Sequence, residues 1–423
     1  MYKLGIDVGG TNTDAVLIDE NLNIVADIKH PTSGDVYDGI LGAVHAVLEQ
    51  SGVDRTQIRQ AMLGTTQCTN AIVERKHLAP IGILRIGAPA TTGIPPMVDW
   101  AEDIQRIAVG STVIGGGFEY DGKELAPLDE AAAKMFFLDM KAKGVKSIAI
   151  SCVFSTVRND HELRAAELCK EVMGEDVHVS ISSEIGSMGL IERENATILN
   201  AALWQVAERF TEGFAKSLEG EGITNADVYL SQNDGTLMTM EHARRYPILT
   251  IACGPTNSIR GASYLSQLKN AIVIDVGGTT TDLGVIQNGF PRESSVAATI
   301  GGVRTNFRMP DVVSIGLGGG SIILPDHLEG AATVLKPEHF GCANAIGSAI
   351  SKVSGTYEKL IDYHEIPRDQ ALEQAKAEAI DMAVQAGAIR ETVEIIEVED
   401  VPLAYYPGNT NRVKIKAAGN LRG

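Results

Sequence analysis

Long apolar runs are missing from this sequence: none approaches the roughly 18 residues that a membrane-spanning helix needs. Positive charge is scarce as well. Against 54 acidic residues stand 36 basic ones, and the formal charge of −18 disfavours nucleic acid and anionic membrane as partners. A phosphate ligand would need local help from backbone amides and metal. Cysteine is sparse and scattered: Cys68, Cys152, Cys169, Cys253 and Cys342 form neither CxxC pairs nor zinc-ligand spacing, so reduced, partly buried thiols are expected. The nine histidines show no HExxH helix, and any metal is expected on carboxylates and phosphate. Met1 leads directly into an apolar strand, and a cytoplasmic protein is expected. With 423 residues, 44% hydrophobic and 21% charged, there is room for two or three ordinary globular domains.

What is present is a stretch that occurs twice. Asp7-Val8-Gly9-Gly10-Thr11-Asn12-Thr13-Asp14 follows Leu4-Gly5-Ile6, and Asp275-Val276-Gly277-Gly278-Thr279-Thr280-Thr281-Asp282 follows Ile272-Val273-Ile274. Seven of the eight residues are identical, which marks an internal repeat and two related halves. In each copy an apolar strand runs into an aspartate, and two glycines let the backbone turn and present its N–H groups beside threonine hydroxyls. β-Branched residues resume at once in Ala15-Val16-Leu17-Ile18 and Leu283-Gly284-Val285-Ile286, so each copy is predicted to be a hairpin. It is therefore neither a Walker loop, which needs Gly-Lys-Ser/Thr, nor a dinucleotide fingerprint, which opens a helix. The aspartates suit Mg²⁺ and the hairpin amides suit nucleotide phosphates.

Around the repeats the chain alternates strands and helices. A third strand is predicted over Asn23–Ile28 and a helix over about Asp35–Gln50, then Gly64-Thr65-Thr66 leads into a helix containing Asn70. Thr65, Thr66 and Asn70 are positioned to meet a polar substrate or an anion. Gly87 to about Asp121 reads as a loop-rich excursion, followed by helix Asp129–Lys143, strand Ser147–Phe154 and helix Asp160–Met173. A polar group including Glu192, Arg193 and Asn200 opens one long helix predicted to run to about Leu218. Strand Asp227–Ser231 empties into Asn233-Asp234-Gly235, where α/β sheets place ligands. Helix entry at Gly254-Pro255 precedes the second hairpin, and Gly316–Ser321 is a glycine turn long enough for bare backbone to pack on adenine or ribose. The tail is predicted to hold helix Asp369–Ala386 and a hairpin of Thr392–Tyr405 with Asn411–Ala418, with only a structural role.

These residues carry a family resemblance. The two octapeptides resemble the phosphate motifs of the actin and sugar-kinase superfamily, whose members hold ATP in a cleft between two ribonuclease H-like lobes. Gly64-Thr65-Thr66 with Thr69-Asn70-Ala71, Glu192-Arg193 with Leu199-Asn200-Ala201, Ser231 to Met238, Gly254-Pro255 and Gly316 to Ser321 resemble, in order and spacing, the hydantoinase A and 5-oxoprolinase family in its short form. The fold implied is α/β, two lobes of mixed sheets flanked by helices. The first, residues 1–185, carries one phosphate hairpin; the second, 186–423, carries the other with the C-terminal helix and hairpin. Two departures stand out. Leu63 occupies a position where larger oxoprolinases commonly have histidine, and a single Gly-Gly-Gly-Ser stands where the family usually has two glycine turns and a substantial segment between them. An internal deletion near Ser321 would produce this sequence.

The resemblance implies ATP-dependent opening of a small cyclic amide of the hydantoin or 5-oxoproline type. A lactam is a poor electrophile, and phosphorylating its oxygen makes a leaving group so that water can open the ring. The phosphoryl step itself needs positioning and charge neutralisation. By resemblance, Asp7 and Asp275 hold Mg²⁺, with one of them as base, and Gly9, Gly10, Thr11, Thr13, Gly277, Gly278, Thr279 and Thr280 contact phosphates. Gly318, Gly319 and Gly320 join the nucleotide site; Glu192, Arg193 and Asp234 assist catalysis; Thr65, Thr66 and Asn70 meet substrate. The partner implied is a second, hydantoinase B-type subunit, and a homo-oligomer is also compatible. Rival readings are a ketone carboxylase subunit, a small-molecule kinase, and a non-catalytic ATP-binding or inactive deletion form.

Overall fold

The structure is a computed structural model that describes residues 1–32, 36–277, 281–294, 298–307, 309–315, 331–403 and 408–422. Its first hairpin, β1 (Tyr2–Val8) with β2 (Asn12–Asp19), continues antiparallel into β3 (Ile24–Pro31). Helix α1 (Val36–Ser51) buries Ile40, Val44, Val47 and Leu48, at the i, i+4 and i+7 spacing of one helix face, against this sheet. Next come β4 (Ile58–Thr65), parallel to β1, and α2 (Gln67–Glu74).

A smaller parallel sheet follows, built from β5 (Ile81–Ala88), β6 (Ala108–Gly115), β7 (Ser147–Cys152) and β8 (His178–Ile181) in the order β6-β5-β7-β8. Helices α3 (Glu102–Gln105), α4 (Glu130–Ala142) and α5 (Asp160–Met173) lie between its strands in sequence. β6 corrects the expectation of a loop from Gly87 to Asp121. It is an edge strand and most of its side chains are at least partly exposed, so it lacks the continuous apolar run that marks a central strand. The long helix predicted after residue 190 is likewise two helices, α6 (Leu190–Ala202) and α7 (Trp204–Gly220). All ten residues from Arg193 to Ala202 are buried whereas α7 is amphipathic, and the break at Leu203 lets one helix cross the core and the other cover it.

β9 (Asp227–Ser231) and β10 (Thr236–Thr239) return to the first sheet, with β9 parallel to β4. After α8 (Met240–Arg245) and α9 (Cys253–Ser266), the second hairpin forms from β11 (Ala271–Val276) and β12 (Thr281–Gln287). β13 (Phe290–Pro291) and β16 (Val312–Ile315) pair with β12, and β14 (Ala298–Ile300) with β15 (Val303–Thr305) makes a separate hairpin. The tail contributes α10 (Ala343–Ile350), β17 (Lys352–Asp362), α11 (Arg368–Gln385), β18 (Glu394–Pro402) and β19 (Thr410–Gly419). One nine-stranded sheet runs β18-β19-β17-β10-β9-β4-β1-β2-β3 and so draws strands from both sides of residue 185. Ala371, Ala375, Ala379 and Ala383 of α11 form a four-residue-spaced stripe, fully or almost fully buried, that seats this helix on β17 and β19.

Helices α9 and α10 touch backbone to backbone. A Cβ on Gly261 would lie 1.9 Å from the Ala343 carbonyl oxygen, and one on Gly347 would lie 1.9 Å from the Asn257 carbonyl oxygen. Gly347→Ala is therefore expected to push the helices apart, lowering stability by about 1–3 kcal/mol and disturbing Asn257. Gly213→Ala in α7, where nothing lies within 4 Å, should be neutral or stabilising by up to about 1 kcal/mol. Denaturant unfolding of the two variants checks the contrast.

Candidate active site

Each octapeptide folds so that its two end residues face each other across the hairpin: Asp7 pairs with Asp14, and Asp275 with Asp282. Like charges directly opposed on antiparallel strands are unfavourable unless something compensates. For Asp14 the compensation is Lys29 on β3, whose Nζ lies 2.7 and 2.9 Å from its carboxylate oxygens. Asp7 has no such partner. It is 3% exposed, and its Oδ2 accepts from Asn344 Nδ2 at 3.3 Å, while its Oδ1 is buried without any hydrogen bond. Burial, followed by the charge of Asp14, pushes the Asp7 carboxyl up to about 6, although the amides of Asn344 and Asn257 favour its charged form. Burial also raises Asp14, against the pull of Lys29, and raises Asp282, against the hydroxyl of Ser314. The charge of Asp275 adds to the rise at Asp7, Asp14 and Asp282, so both hairpins act on one neighbourhood.

Helices α9 and α10 join the hairpins. The Ser258 hydroxyl lies 2.6 Å from Asn344 Oδ1 and also reaches the Asp275 carboxylate, and its single proton can serve one of them at a time. Both polar side-chain atoms of Asn257 are buried and without a partner. Gly64 leaves room beside them: a Cβ there would lie 2.3 Å from Asp7 Oδ1 and 2.5 Å from Asn257 Nδ2. Orphaned buried polar atoms on two elements, Asp7 on β1 and Asn257 on α9, thus converge beside Gly64 of β4, which is where a ligand would satisfy them. Among the described residues, no group of three or more His, Cys, Asp or Glu side chains is arranged to hold a metal ion. Mg²⁺ commonly takes only one or two carboxylates and completes its shell with water and phosphate, so an aspartate from each hairpin fits it.

The other candidates from the sequence divide by position. Gly9 N–H closes the turn on the Asn12 carbonyl at 3.0 Å, and the buried Thr13 hydroxyl sits 3.1 Å from that of Thr32, while Gly10, Thr11 and Gly277 are exposed. Gly278, Thr279, Thr280, Gly318, Gly319, Gly320 and Ser321 lie outside the described residues, as do Ala404 and Tyr405. Thr65, Thr66 and Asn70 stand beside the first hairpin, because Gly64 and Thr65 pair with Asp7 and Val8. Asn70 donates to the Thr66 hydroxyl at 3.3 Å. Glu192 and Arg193 make other contacts. Glu192 faces Arg304 at 3.3 Å, and Arg193, 1% exposed, donates to Ser182 Oγ and to the carbonyls of Ser187 and Cys152. Asp234 accepts from Thr236 and pairs with Lys416 at 2.8 Å. Two cavities, of about 440 and 770 Å³, are lined by none of the four aspartates. Lys29, Asn257, Ser258 and Asn344 are the site residues that sequence reasoning missed. The one local signal was the run Thr256-Asn257-Ser258, polar residues fully or almost fully buried inside a helix.

Comparisons with known proteins bear on the family and the fold. The family model described as the hydantoinase/oxoprolinase N-terminal region matches residues 3–173, and the one described as hydantoinase/oxoprolinase matches residues 193–350. Caprolactamase subunit alpha of Pseudomonas jessenii is 27% identical over 358 residues, covering 76% of this chain and 48% of its own length. Acetophenone carboxylase gamma subunit of Aromatoleum aromaticum is 24% identical over 361 residues, covering 77% and 48%. The chain thus spans about half the length of the curated relatives it matches. The crystal structure of the ATP-dependent caprolactamase from Pseudomonas jessenii superposes with a TM-score of 0.74 at 17% identity, covering 100% of this chain and 88% of that one. The likeness establishes the fold, the expected α/β architecture of actin-like type with mixed sheets flanked by helices.

Proposed function

The chain belongs to the hydantoinase/oxoprolinase family, and from that premise we propose that it is the ATP-using chain of an enzyme that opens a small cyclic amide by phosphorylating its carbonyl oxygen. The observation that carries this reading is the pair of aspartate hairpins facing one neighbourhood, with the Asp7 Oδ1 atom buried and unpartnered. Asp7 and Asp275 would hold Mg²⁺, which when bound neutralises phosphate charge. The exposed amides of Gly10 and Thr11 would meet phosphate, and Lys29 keeps Asp14 compensated. In the reaction the lactam oxygen takes the terminal phosphoryl group and ADP leaves. Water then adds to the activated carbon, the ring C–N bond breaks with a proton going to nitrogen, and a second water releases phosphate. The division at residue 185 and a cytoplasmic setting belong to the same reading; no helix among the described residues is long and apolar enough to cross a membrane.

The names of the relatives, one a caprolactamase subunit and one a ketone carboxylase subunit, support a multi-subunit assembly and make ketone carboxylation the second reading. The exposed apolar side chains of β11 and β16, with Ile272 73% and Val313 60% exposed, support an internal deletion beyond Ile315. Co-expression with a hydantoinase B-type subunit tests the function. Mg²⁺-dependent ADP release is expected to rise at least tenfold with a cyclic amide and without bicarbonate. A strict requirement for bicarbonate and a ketone would replace this reading with the second one.

A further inference from the structure

Among the described residues neither Asp7 nor Asp275 is paired with a cation, yet two neutral side chains join them. Asn344 donates Nδ2 to Asp7 Oδ2 at 3.3 Å, its Oδ1 lies 2.6 Å from the Ser258 hydroxyl, and that hydroxyl reaches the Asp275 carboxylate. The direction of the amide follows from the carboxylate beside it. Turned over, Asn344 would set its oxygen against Asp7, so Nδ2 faces Asp7 and Oδ1 is left as an acceptor that needs a donor. Ser258, 2% exposed, is placed to supply it, and its hydroxyl also lies 3.3 Å from the Gly254 carbonyl one turn back.

Glycines set the length of this bridge. A Cβ on Gly5 would strike the Ala345 carbonyl oxygen, so α10 sits directly on β1, the strand that carries Asp7. A Cβ on Gly284 would strike the Ile259 side chain, so α9 sits directly on β12, which pairs with the strand that carries Asp275. Gly261 and Gly347 then bring the two helices into backbone contact at Ala343 and Asn257, the immediate neighbours of Asn344 and Ser258. With α10 seated on the first hairpin and α9 on the second, the Ser258–Asn344 hydrogen bond crosses the seam between them. The charge of Asp275 opposes that of Asp7, and close-packed backbone contacts on both sides of the bridge keep the two carboxylates from moving apart.

We infer that Ser258 and Asn344 are positioning residues, which hold Asp7 and Asp275 together for a single Mg²⁺; the inference rests on the metal assignment proposed above. The test is calorimetric titration of the intact chain with Mg²⁺-ATP, comparing wild type with Ser258→Ala, Asn344→Leu, the double variant and Ser258→Thr. Leucine keeps the volume of asparagine and removes both polar ends. Threonine keeps the hydroxyl: Thr197, Thr211 and Thr256 already place theirs on the carbonyl one turn back, as Ser258 does. Ser258→Ala and Asn344→Leu should each weaken binding about tenfold, and the double variant by little more than either alone, because both changes break one bridge. Ser258→Thr should recover most of what alanine loses, and every variant should still melt cooperatively. Unchanged affinity in both single variants, a loss of about a hundredfold in the double one, or threonine as weak as alanine would overturn the inference and leave the ATP-using reading standing. No binding of Mg²⁺-ATP by the wild-type chain would sink both together. The expected pattern in a chain that shows no amide-dependent ADP release would uphold the inference and overturn the cyclic-amide reading alone.

Discussion

Asp7→Asn is expected to abolish Mg²⁺-dependent ATP turnover, by about a thousandfold or more, and at the same time to stabilise the ligand-free chain at neutral pH. Both effects come from one fact: a carboxyl that folding buries beside Asp14 without a cation of its own. Its folded value near 6, against an ordinary 3.8, corresponds to a penalty on the order of 3 kcal/mol when it is charged. The sign follows from proton binding. Between pH 4 and 6 the folded chain holds more protons than the unfolded one, so this group's contribution favours folding below its unfolded value and is lost as pH rises through about 6. The neutral asparagine lacks that dependence. Urea unfolding at pH 7.5 should find the variant more stable, with the gap narrowing towards pH 4.5. A variant less stable than wild type at pH 7.5 would mean that Asp7 is compensated in the free protein.

Glu194→Ala is expected to destabilise by about 3–5 kcal/mol, the largest stability loss predicted for a single side chain. Arg85 and Glu194, both essentially inaccessible, form a two-pronged pair, with Arg85 Nε 2.7 Å from Oε2 and Nη2 on Oε1. Ser151 adds a hydroxyl donor at 2.6 Å, and Arg85 also donates to the carbonyls of Thr91 and Ile94. The pair joins α6 to β5 and β7, and removing the carboxylate strands a guanidinium in the core. Replacing both partners together, Arg85→Met with Glu194→Leu, should recover most of the loss. Guanidinium unfolding checks both; a Glu194→Ala loss below about 1 kcal/mol would contradict the stranding of a buried, unpaired guanidinium.

The same stretch shows what the sequence could and could not convey. Glu192-Arg193-Glu194 is a dense polar group at a helix start, and chemistry alone suggests a ligand site. In the fold Arg193 and Glu194 point inward and connect α6 to the smaller sheet, a difference of facing that no local pattern encodes when every neighbour is buried. The hairpins were legible because an octapeptide with a strand on each side fixes its own register and opposes its end residues. Asn257, Ser258 and Asn344 were not, since they reach Asp7 and Asp275 only through the crossing of α9 and α10. Lys414 and Lys416 were passed over as tail structure. Their two-residue spacing between Val413, Ile415 and Ala417 places both on one face of β19, yet two of the carboxylates they meet, Asp234 and Glu293, come from the β9–β10 turn and the segment after β13, far away in sequence.

Calorimetric titration of the intact chain with Mg²⁺-ATP tests the central claim most directly, because the converging aspartates and the internal deletion proposed near Ser321 both bear on nucleotide binding first. Saturable binding near one site per chain, lost in Asp7→Asn while that variant still melts cooperatively, is the predicted result. No binding by a wild-type chain that melts cooperatively would contradict the account and leave the family fold without its chemistry.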